Sequence, residues 1–229
     1  DSTPDPAMID MFNSMVDEMF DYGRFILNSK RENPSEDLLS AIANAEIEGE
    51  KLSQEFLDGS WLLIIFAGND TTRNTLSGGI KLLYDNQKQK ELLINELELL
   101  PNFINETVRC VSPVIHMRRT TLEETQINGQ KIGPHEKIAL WYGAANRDPE
   151  IFENPDDFNI LRENADKHLA FGFGRHSCIG KPVALMQLQE FYSQFLTRFP
   201  DFEMNGKWKV APNNFVHAIQ EMPIKFSPK

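Results

Sequence analysis

The sequence has 229 residues, of which 41% are hydrophobic and 25% are charged, with 13 Gly, 13 Pro and 2 Cys. This composition excludes a disordered tail, a collagen-like fibre and a disulfide-stapled mini-protein, and it predicts a soluble globular chain. The net charge is −11; residues 1–100 carry 8 Lys and Arg against 19 Asp and Glu, whereas residues 101–229 carry 15 of each. The chain therefore lacks the basic stripe that a nucleic-acid partner requires.

Two cysteines cannot form a disulfide framework, so they indicate a reducing compartment, here the cytoplasm, or a cysteine kept for its chemistry. The only long apolar run, Trp61–Gly68, is far shorter than the ~20 residues of a membrane span. We therefore expect no membrane segment in this chain.

The chain begins with a predicted amphipathic helix over residues 6–30, because Met and Phe recur at three- and four-residue spacing. This Met and Phe stripe is interpreted as a packing surface. Ser53 is a good N-cap for a long helix that runs to about Tyr84. The same reasoning predicts further helices at residues 35–45, 92–99, 102–110 and 182–198.

Beyond Pro113 the sequence changes to short β-prone runs, with Asn128-Gly129 as a hairpin turn. Residues 145–177 predict a long irregular connection, and such connections are usually functional. Residues 202–226 predict one or two terminal strands. We therefore expect residues 1–229 to form one mostly helical domain with a small β part.

The segment most informative about chemistry is Phe171-Gly-Phe-Gly-Arg-His-Ser-Cys-Ile-Gly180. Its early glycines allow a tight turn beneath a cysteine that immediately precedes a helix. A helix N-terminus stabilises a thiolate, as a soft-metal or haem-iron ligand requires. The spacing fits neither a phosphate loop, a dinucleotide fingerprint nor a zinc site. A buried structural cysteine remains the alternative.

This segment resembles the haem-binding signature of the cytochrome P450 family. The resemblance implies a mainly α fold with small β-sheets, of which this chain is the C-terminal half, because family members are roughly twice as long. Whether the first half belongs to the same protein stays open. The resemblance also implies haem b as cofactor, with the Cys178 thiolate as the axial iron ligand and Phe171, Gly172 and Gly180 in the haem-binding loop.

A second motif, Ala67-Gly-Asn-Asp-Thr-Thr72, resembles the oxygen-activation motif of the same family. A mid-helix Thr can donate a hydrogen bond to the carbonyl four residues earlier, here that of Ala67, and Gly68 lets the helix open beside it. The resemblance implies that Asp70 and Thr71 are the catalytic pair that delivers protons during oxygen activation.

The third motif, Glu106-Thr-Val-Arg109, resembles the family's E-x-x-R. In the family this pair joins a later arginine, here Arg162, in a buried structural network under the haem. The resemblance also assigns Arg119 and His176 to contacts with the haem propionates.

The resemblance implies a monooxygenase that uses O2 and electrons from a ferredoxin or flavin-type partner. Lys167, Arg175 and Lys181 would form the docking patch for that partner. The residues expected to face the haem and the substrate are mostly apolar, which indicates a hydrophobic small molecule. Ala67 is expected to contact the haem, and the expected substrate contacts are Leu63, Phe66, Val114, Ile115, Met117, Phe215 and Val216. The motifs are most similar to those of bacterial alkane and fatty-acid hydroxylases, with a sterol or terpenoid hydroxylase as the alternative.

Two other functions are alternatives for a protein with this signature: a non-catalytic haem-binding sensor or carrier, and a peroxygenase or dehydratase. The intact Asp70-Thr71 pair argues against both, because these residues serve turnover with O2.

Overall fold

The computed structural model describes residues 5–227, and the chain divides into two compact units, Asp1–Gly68 and Asn69–Lys229. The helices are α1 Pro6–Glu32, α2 Leu38–Ala43, α3 Gln54–Asp85, α4 Gln87–Asn95, α5 Leu100–Val111, α6 Tyr142–Ala145 and α7 Lys181–Arg198. The strands are β1 Glu46–Ile47, β2 Glu50–Lys51, β3 His116–Thr120, β4 Thr125–Ile127, β5 Gln130–Ile132, β6 Lys137–Trp141, β7 Glu203–Met204, β8 Lys209–Ala211, β9 Ala218–Glu221 and β10 Ile224–Lys225. The boundary between the units falls inside α3. The expectation of a single domain over residues 1–229 stays a prediction.

In the first unit, α1 packs against the beginning of α3 through a glycine. A Cβ at Gly23 would lie 2.5 Å from the Trp61 ring, so only glycine permits this approach. The indole Nε1 of Trp61 donates a hydrogen bond to Met19 O at 3.0 Å. Leu27, Ala43 and Leu57 complete the small core around Trp61. This core fixes α1, α2 and the first turns of α3 together.

The Met and Phe stripe of α1 is exposed rather than packed in the described part of the chain. Met11, Phe12, Met15 and Phe25 are all exposed, and the buried residues of α1 are Gly23 and Leu27. The interpretation of the stripe as a packing surface is therefore not confirmed by residues 5–227. Its spacing correctly predicts the helix, but an apolar face does not identify what covers it.

Two local predictions in the first unit need correction. The second helix is shorter than expected, because Asp37 caps it by accepting a hydrogen bond from Ser40 N at 2.8 Å. A small hairpin, β1–β2, was missed; its turn has positive φ at Glu48 and Gly49. Strands of two residues are too short to show alternation in sequence.

The second unit is built around α5 and α7, which pack against the rest of α3. Phe103 and Tyr192 make an edge-to-face contact with ring centroids 4.8 Å apart. The core also contains Ile80, Leu83, Leu93, Leu100, Ile104, Val108, Phe158, Ile160, Leu188, Phe195, Leu196 and Phe202. Pro101 lies in the first turn of α5, where a missing amide proton costs nothing, so this helix begins at Leu100 rather than at residue 102 as predicted.

The β part of the second unit consists of antiparallel pairs. Strands β3 and β6 pair in register with His116 opposite Trp141, and the β4–β5 hairpin turns at Asn128 and Gly129, both with positive φ, as predicted. The tail has four short strands, in which β8 pairs with β9 and β7 with β10, where one or two were expected. None of the helices within residues 5–227 is long and apolar enough to cross a membrane.

Candidate functional site

The cysteine loop turns on two glycines in the left-handed region. Gly172 has φ +70° and Gly174 has φ +64°. A Cβ at Gly172 would also lie 2.9 Å from the carbonyl oxygen of His176. The turn is closed by hydrogen bonds from Cys178 N to Phe171 O at 2.8 Å and from Ser177 N to Gly174 O at 3.1 Å. These two hydrogen bonds hold the turn within the loop itself.

The thiol of Cys178 is exposed at the end of this loop, three residues before the first residue of α7. Its neighbours Phe173 and Ile179 are 84% and 83% exposed. An accessible soft ligand with large apolar side chains beside it fits a flat apolar iron macrocycle such as haem. Within residues 5–227, no group of three or more His, Cys, Asp or Glu side chains is arranged to hold a metal ion.

Glu106, Arg109 and Arg162 form one buried charged cluster, as the sequence predicted. The Glu106 carboxylate accepts hydrogen bonds from Arg109 Nε at 2.7 Å and Arg109 Nη2 at 2.8 Å. Arg162 Nε lies 3.1 Å from both carboxylate oxygens. Glu106 and Arg109 are completely buried. The cluster, which we call the Glu106 cluster, thus pairs one carboxylate with two guanidinium groups.

The guanidinium groups also bind backbone carbonyls of the irregular segment. Arg109 donates to the carbonyl oxygens of Asn146, Pro155 and Asp157. Arg162 donates to those of Glu153, Asn154 and Asp157. Because these carbonyls have few partners of their own in irregular backbone, the cluster stabilises the whole segment.

Burial alone would raise the pKa of Glu106, but hydrogen bonds from Arg109, the Asn159 amide and Arg162 outweigh it and hold the pKa below its ordinary value. Glu106 is therefore ionised in the folded chain near neutral pH. Its stabilising contribution is present above the ordinary carboxyl pKa and is lost as the pH falls through the lowered value.

Asn146 connects the Glu106 cluster to the cysteine loop, a role that the sequence did not predict. Its carbonyl accepts from Arg109, and its side-chain Oδ1 accepts from Leu169 N at 2.6 Å. Leu169 O in turn accepts from Gly172 N at 2.8 Å. A polar residue in a loop rich in Asn and Asp carries no local signal that distinguishes it from its neighbours.

His168 is a second residue that sequence reasoning missed. It is buried, its Nδ1 accepts from Ala170 N at 3.2 Å, and its Nε2 has no partner among the described residues. Burial, aided by the charge of Lys181, lowers its pKa to about 4. His168 is therefore neutral near physiological pH and supports the start of the cysteine loop.

The proposed catalytic pair lies on α3. Asp70 forms an ion pair with Arg73 at 2.9 Å, a partner not foreseen from sequence. The Thr71 carbonyl oxygen accepts from Thr75 Oγ1 at 2.8 Å. Asp70 is half-buried, so it can exchange protons with solvent.

Arg119 and His176, the predicted propionate contacts, lie on different elements and differ in exposure. Arg119 lies on β3 opposite Ile138 and is half-buried, whereas Arg118 points to the other face of the pair and is more exposed. His176 is exposed in the cysteine loop. Both can donate hydrogen bonds to a carboxylate.

Most of the predicted substrate-facing residues of the second unit come together in one place. Val114 and Val216 form an isolated bridge, and Ile115 N donates to Phe215 O at 2.8 Å. Met117 is exposed on β3, while Val216 is almost fully buried by its own chain. The other predicted residues, Leu63, Phe66 and Ala67, belong to the first unit, where Leu63 and Phe66 are exposed on α3.

Comparison with known proteins gives one consistent result. The family model described as Cytochrome P450 matches residues 5–226. The chain is 36% identical over 210 residues to a steroid C26-monooxygenase from Mycolicibacterium smegmatis, which covers 91% of this chain and 52% of the relative. It is 35% identical over 215 residues to a linalool 8-monooxygenase from Pseudomonas putida, which covers 94% of this chain and 53% of the relative.

Solved structures of cytochrome P450 proteins have the same fold as this chain. Substrate-free CYP109E1 from Bacillus megaterium superposes with a TM-score of 0.89 at 32% identity over 100% of this chain and 60% of that one. Cytochrome P450-153 from Novosphingobium aromaticivorans superposes with a TM-score of 0.87 at 34% identity, and the match covers 97% of this chain and 55% of that one. The chain thus spans about half of the length of the curated relatives it matches. With its mainly helical fold and its three motifs in place, this chain belongs to the cytochrome P450 family.

Proposed function

We propose that the protein carrying this chain is a haem-thiolate monooxygenase in which Cys178 would supply the thiolate that holds the haem iron. The observation that carries the proposal is the exposed Cys178 thiol shortly before α7, in a loop that also exposes Phe173 and Ile179. Haem bound through a thiolate supplies the chemistry that splits O2, puts one oxygen atom into a C–H bond and releases the other as water. Two electrons and two protons balance each turnover.

The residues around Cys178 would hold and orient the haem. Cys178 would supply the sulfur ligand at the end of the cysteine loop, three residues before the first residue of α7. A Cβ at Gly180 would make an ordinary contact with the Cys178 sulfur at 3.8 Å, so this residue lies directly next to the ligand. Arg119 and His176 would bind the propionates, Phe171 and Gly172 would shape the loop, and the Glu106 cluster would keep the loop in position through Asn146.

Asp70 and Thr71 would move the protons. The Asp70 carboxylate is accessible enough to collect a proton from water, and the Thr71 hydroxyl would pass it inward. We expect Asp70→Asn and Thr71→Ala to consume reductant while forming less hydroxylated product and more peroxide. An unchanged ratio of product to reductant in both variants would exclude the pair from this role.

The reduced carbon monoxide difference spectrum tests the haem ligand. The full-length protein should give a thiolate-type Soret band that Cys178→Ala abolishes. Cys110→Ala is the matched control, because Cys110 is half-buried on α5 and its sulfur accepts a hydrogen bond from Arg109. The Cys110→Ala variant should keep the band. A band that survives Cys178→Ala would refute the assignment. A haem-bound protein that never consumes reductant would instead indicate a sensor or carrier.

The substrate would be a hydrophobic molecule, and we propose an alkane or fatty-acid chain. The apolar character of Val114, Ile115 and Phe215 supports the class. A relative that is 31% identical over 228 residues is named methyl-branched lipid omega-hydroxylase, from Mycobacterium bovis. A sterol or terpenoid is the second candidate, which the steroid and linalool monooxygenases favour.

Spectral titration with a linear fatty acid, linalool and a steroid decides between these substrates. Tightest binding of the fatty acid supports the first proposal, and tightest binding of either of the others supports the second. If peroxide alone formed product faster than the reductant system does, the enzyme would be a peroxygenase.

A ferredoxin or flavin protein would deliver the electrons at the exposed cations Lys167, Arg175 and Lys181. Lys181 also lies 5.4 Å from the centre of the Phe171 ring, which places one charge beside the cysteine loop. An acidic partner would be steered to this patch, so electron transfer should slow as ionic strength rises. A rate that does not depend on salt would contradict this docking site.

A further inference from the structure

The hydroxyl of Tyr192 lies against the backbone of α3, where few side chains could reach. Tyr192 is on α7 and is completely buried. Its hydroxyl is 2.8 Å from Leu76 O and 3.1 Å from Thr75 O, two carbonyls of α3. A Cβ at Gly79 would lie 2.1 Å from this hydroxyl. The contact therefore depends on glycine at that position of α3.

The neighbouring Gly78 makes the same kind of contact with α5. A Cβ at Gly78 would lie 2.5 Å from Val111 Cγ2. The glycine pair thus permits a close approach of α3 to both α5 and α7 that a Cβ at either position would block. This close approach fixes the position of α3 along both helices.

The phenol is a permanent donor at this position. Burial raises the pKa of Tyr192 far above its ordinary value, although the Gly79 backbone acts in the opposite direction. The hydroxyl therefore keeps its proton at any physiological pH. A side-chain donor inserted at helix carbonyls alters the local path of a helix, so its presence defines the geometry of this turn.

The same turn connects to the proposed catalytic pair. Thr75, whose carbonyl Tyr192 contacts, donates its own hydroxyl to Thr71 O at 2.8 Å. On another side of the turn, the fully buried Asn74 accepts a hydrogen bond from Ile219 N of β9 at 2.8 Å. The turn that follows Asp70-Thr71 is thus held by α7 through Tyr192 and by β9 through Asn74.

We propose that Tyr192 is a positioning residue that fixes the Asp70-Thr71 turn of α3 relative to α7, the helix that begins next to Cys178. Without the hydroxyl, the turn keeps its helical hydrogen bonds but loses its fixed place against α7. Asp70 and Thr71 then deliver protons from a less well-defined position, while the cysteine ligand is unaffected. This inference rests on the proposed monooxygenase function.

The test is Tyr192→Phe in the full-length haem-loaded protein, with Tyr84→Phe as the matched control on α3. Tyr84 is half-buried against the same core but lies outside the Thr71–Gly79 stretch. We expect Tyr192→Phe to lower the yield of product per reductant about fivefold, the factor that one neutral hydrogen bond represents. The carbon monoxide spectrum and the spectral dissociation constant for substrate should stay at parent values.

Amide hydrogen exchange provides a readout that needs no turnover. Exchange at Gly79 and Ile80 should accelerate in Tyr192→Phe and not in Tyr84→Phe. Asn74→Ala, which removes the acceptor for Ile219, should reproduce the loss of product yield. A lower melting temperature with parent product yield would overturn the proposal, because the hydroxyl would then serve stability alone.

Different results would refute the proposed monooxygenase function and the positioning role of Tyr192. A parent protein without a thiolate band refutes the proposed function. In that case unchanged exchange at Gly79 and Ile80 would also refute the positioning role, whereas accelerated exchange would still support the hold of Tyr192 on this turn.

Discussion

Asn146 connects the Glu106 cluster to the cysteine loop, but the two regions find their partners in opposite ways. In the cluster, three charged side chains are almost fully buried and find their partners within the second unit. In the loop, the backbone is internally bonded, while the side chains of Cys178, Phe173 and Ile179 remain exposed. The cluster needs only this chain, whereas the loop presents chemistry and apolar surface to another group.

This difference indicates that the Glu106 cluster supports the structure, whereas the cysteine loop presents the reactive group. Asn146 transmits the order of the cluster to Leu169 and the loop, so the loop shape can exist before any ligand binds. A preformed loop lowers the entropy cost of binding, because the thiol does not have to be placed at the moment of association. The following predictions test whether the cluster carries stability and the loop carries function.

The largest effect is expected for Glu106→Gln. This change leaves two buried guanidinium groups without a carboxylate, which should cost about 3–5 kcal/mol of unfolding free energy. Urea denaturation of the purified protein measures it. Lys209→Ala, which breaks the exposed ion pair with Glu221, is the control and should cause no measurable change. Equal losses in the two variants would show that the cluster does not carry the stability assigned to it.

The second prediction concerns acid stability and His168. Its pKa is lowered from an ordinary 6.5 to about 4 in the folded chain, so the unfolded chain binds the extra proton between these values. Stability should therefore fall as the pH drops from about 6.5 to 4, by about 3 kcal/mol from this residue. His168→Asn, whose Oδ1 can replace Nδ1 as acceptor from Ala170 N, should remove this dependence.

Unfolding curves at several pH values check this expectation. Glu106 adds its own loss only at lower pH, because its lowered pKa lies below the ordinary carboxyl value. The two residues thus act in different ranges. A parent-like slope between pH 4 and 6.5 in His168→Asn would show that His168 is not the titrating group.

The third prediction compares two glycines of the cysteine loop. Gly172 and Gly174 both have positive φ, but a Cβ would meet the His176 carbonyl at Gly172 and open space at Gly174. Alanine at either position should cost about 1–2 kcal/mol for the left-handed backbone, and Gly172→Ala should cost more through the clash. Gly172→Ala should also reduce haem retention. A larger effect of Gly174→Ala on haem retention would contradict the importance of this turn.

The resemblance to the cytochrome P450 family predicted the members of the Glu106 cluster and singled out Cys178, because Glu106, Arg109 and Cys178 lie in family motifs and Arg162 lies at the matching later position. The sequence also predicted α3, the β3–β6 and β4–β5 segments and the hairpin turn at Asn128-Gly129. It missed Asn146, His168 and Tyr192, whose roles depend on contacts between residues far apart in the chain. Tyr192 meets Leu76 across 116 positions. No local periodicity encodes such a contact; only the packing of α7 against α3 creates it.

The smallest effect is expected for Cys178→Ser without haem. The side chain is exposed and makes no contribution to the core, so the unfolding free energy should change by no more than about 0.5 kcal/mol. Cys110→Ser is the comparison, because it puts a hydroxyl at a half-buried position next to Arg109 and should cost about 1 kcal/mol. Haem binding should show the reverse order, with loss in Cys178→Ser and retention in Cys110→Ser. If Cys178→Ser were the more destabilising change without haem, the thiol would support the loop itself, and the division between a stabilising cluster and a functional loop would fail.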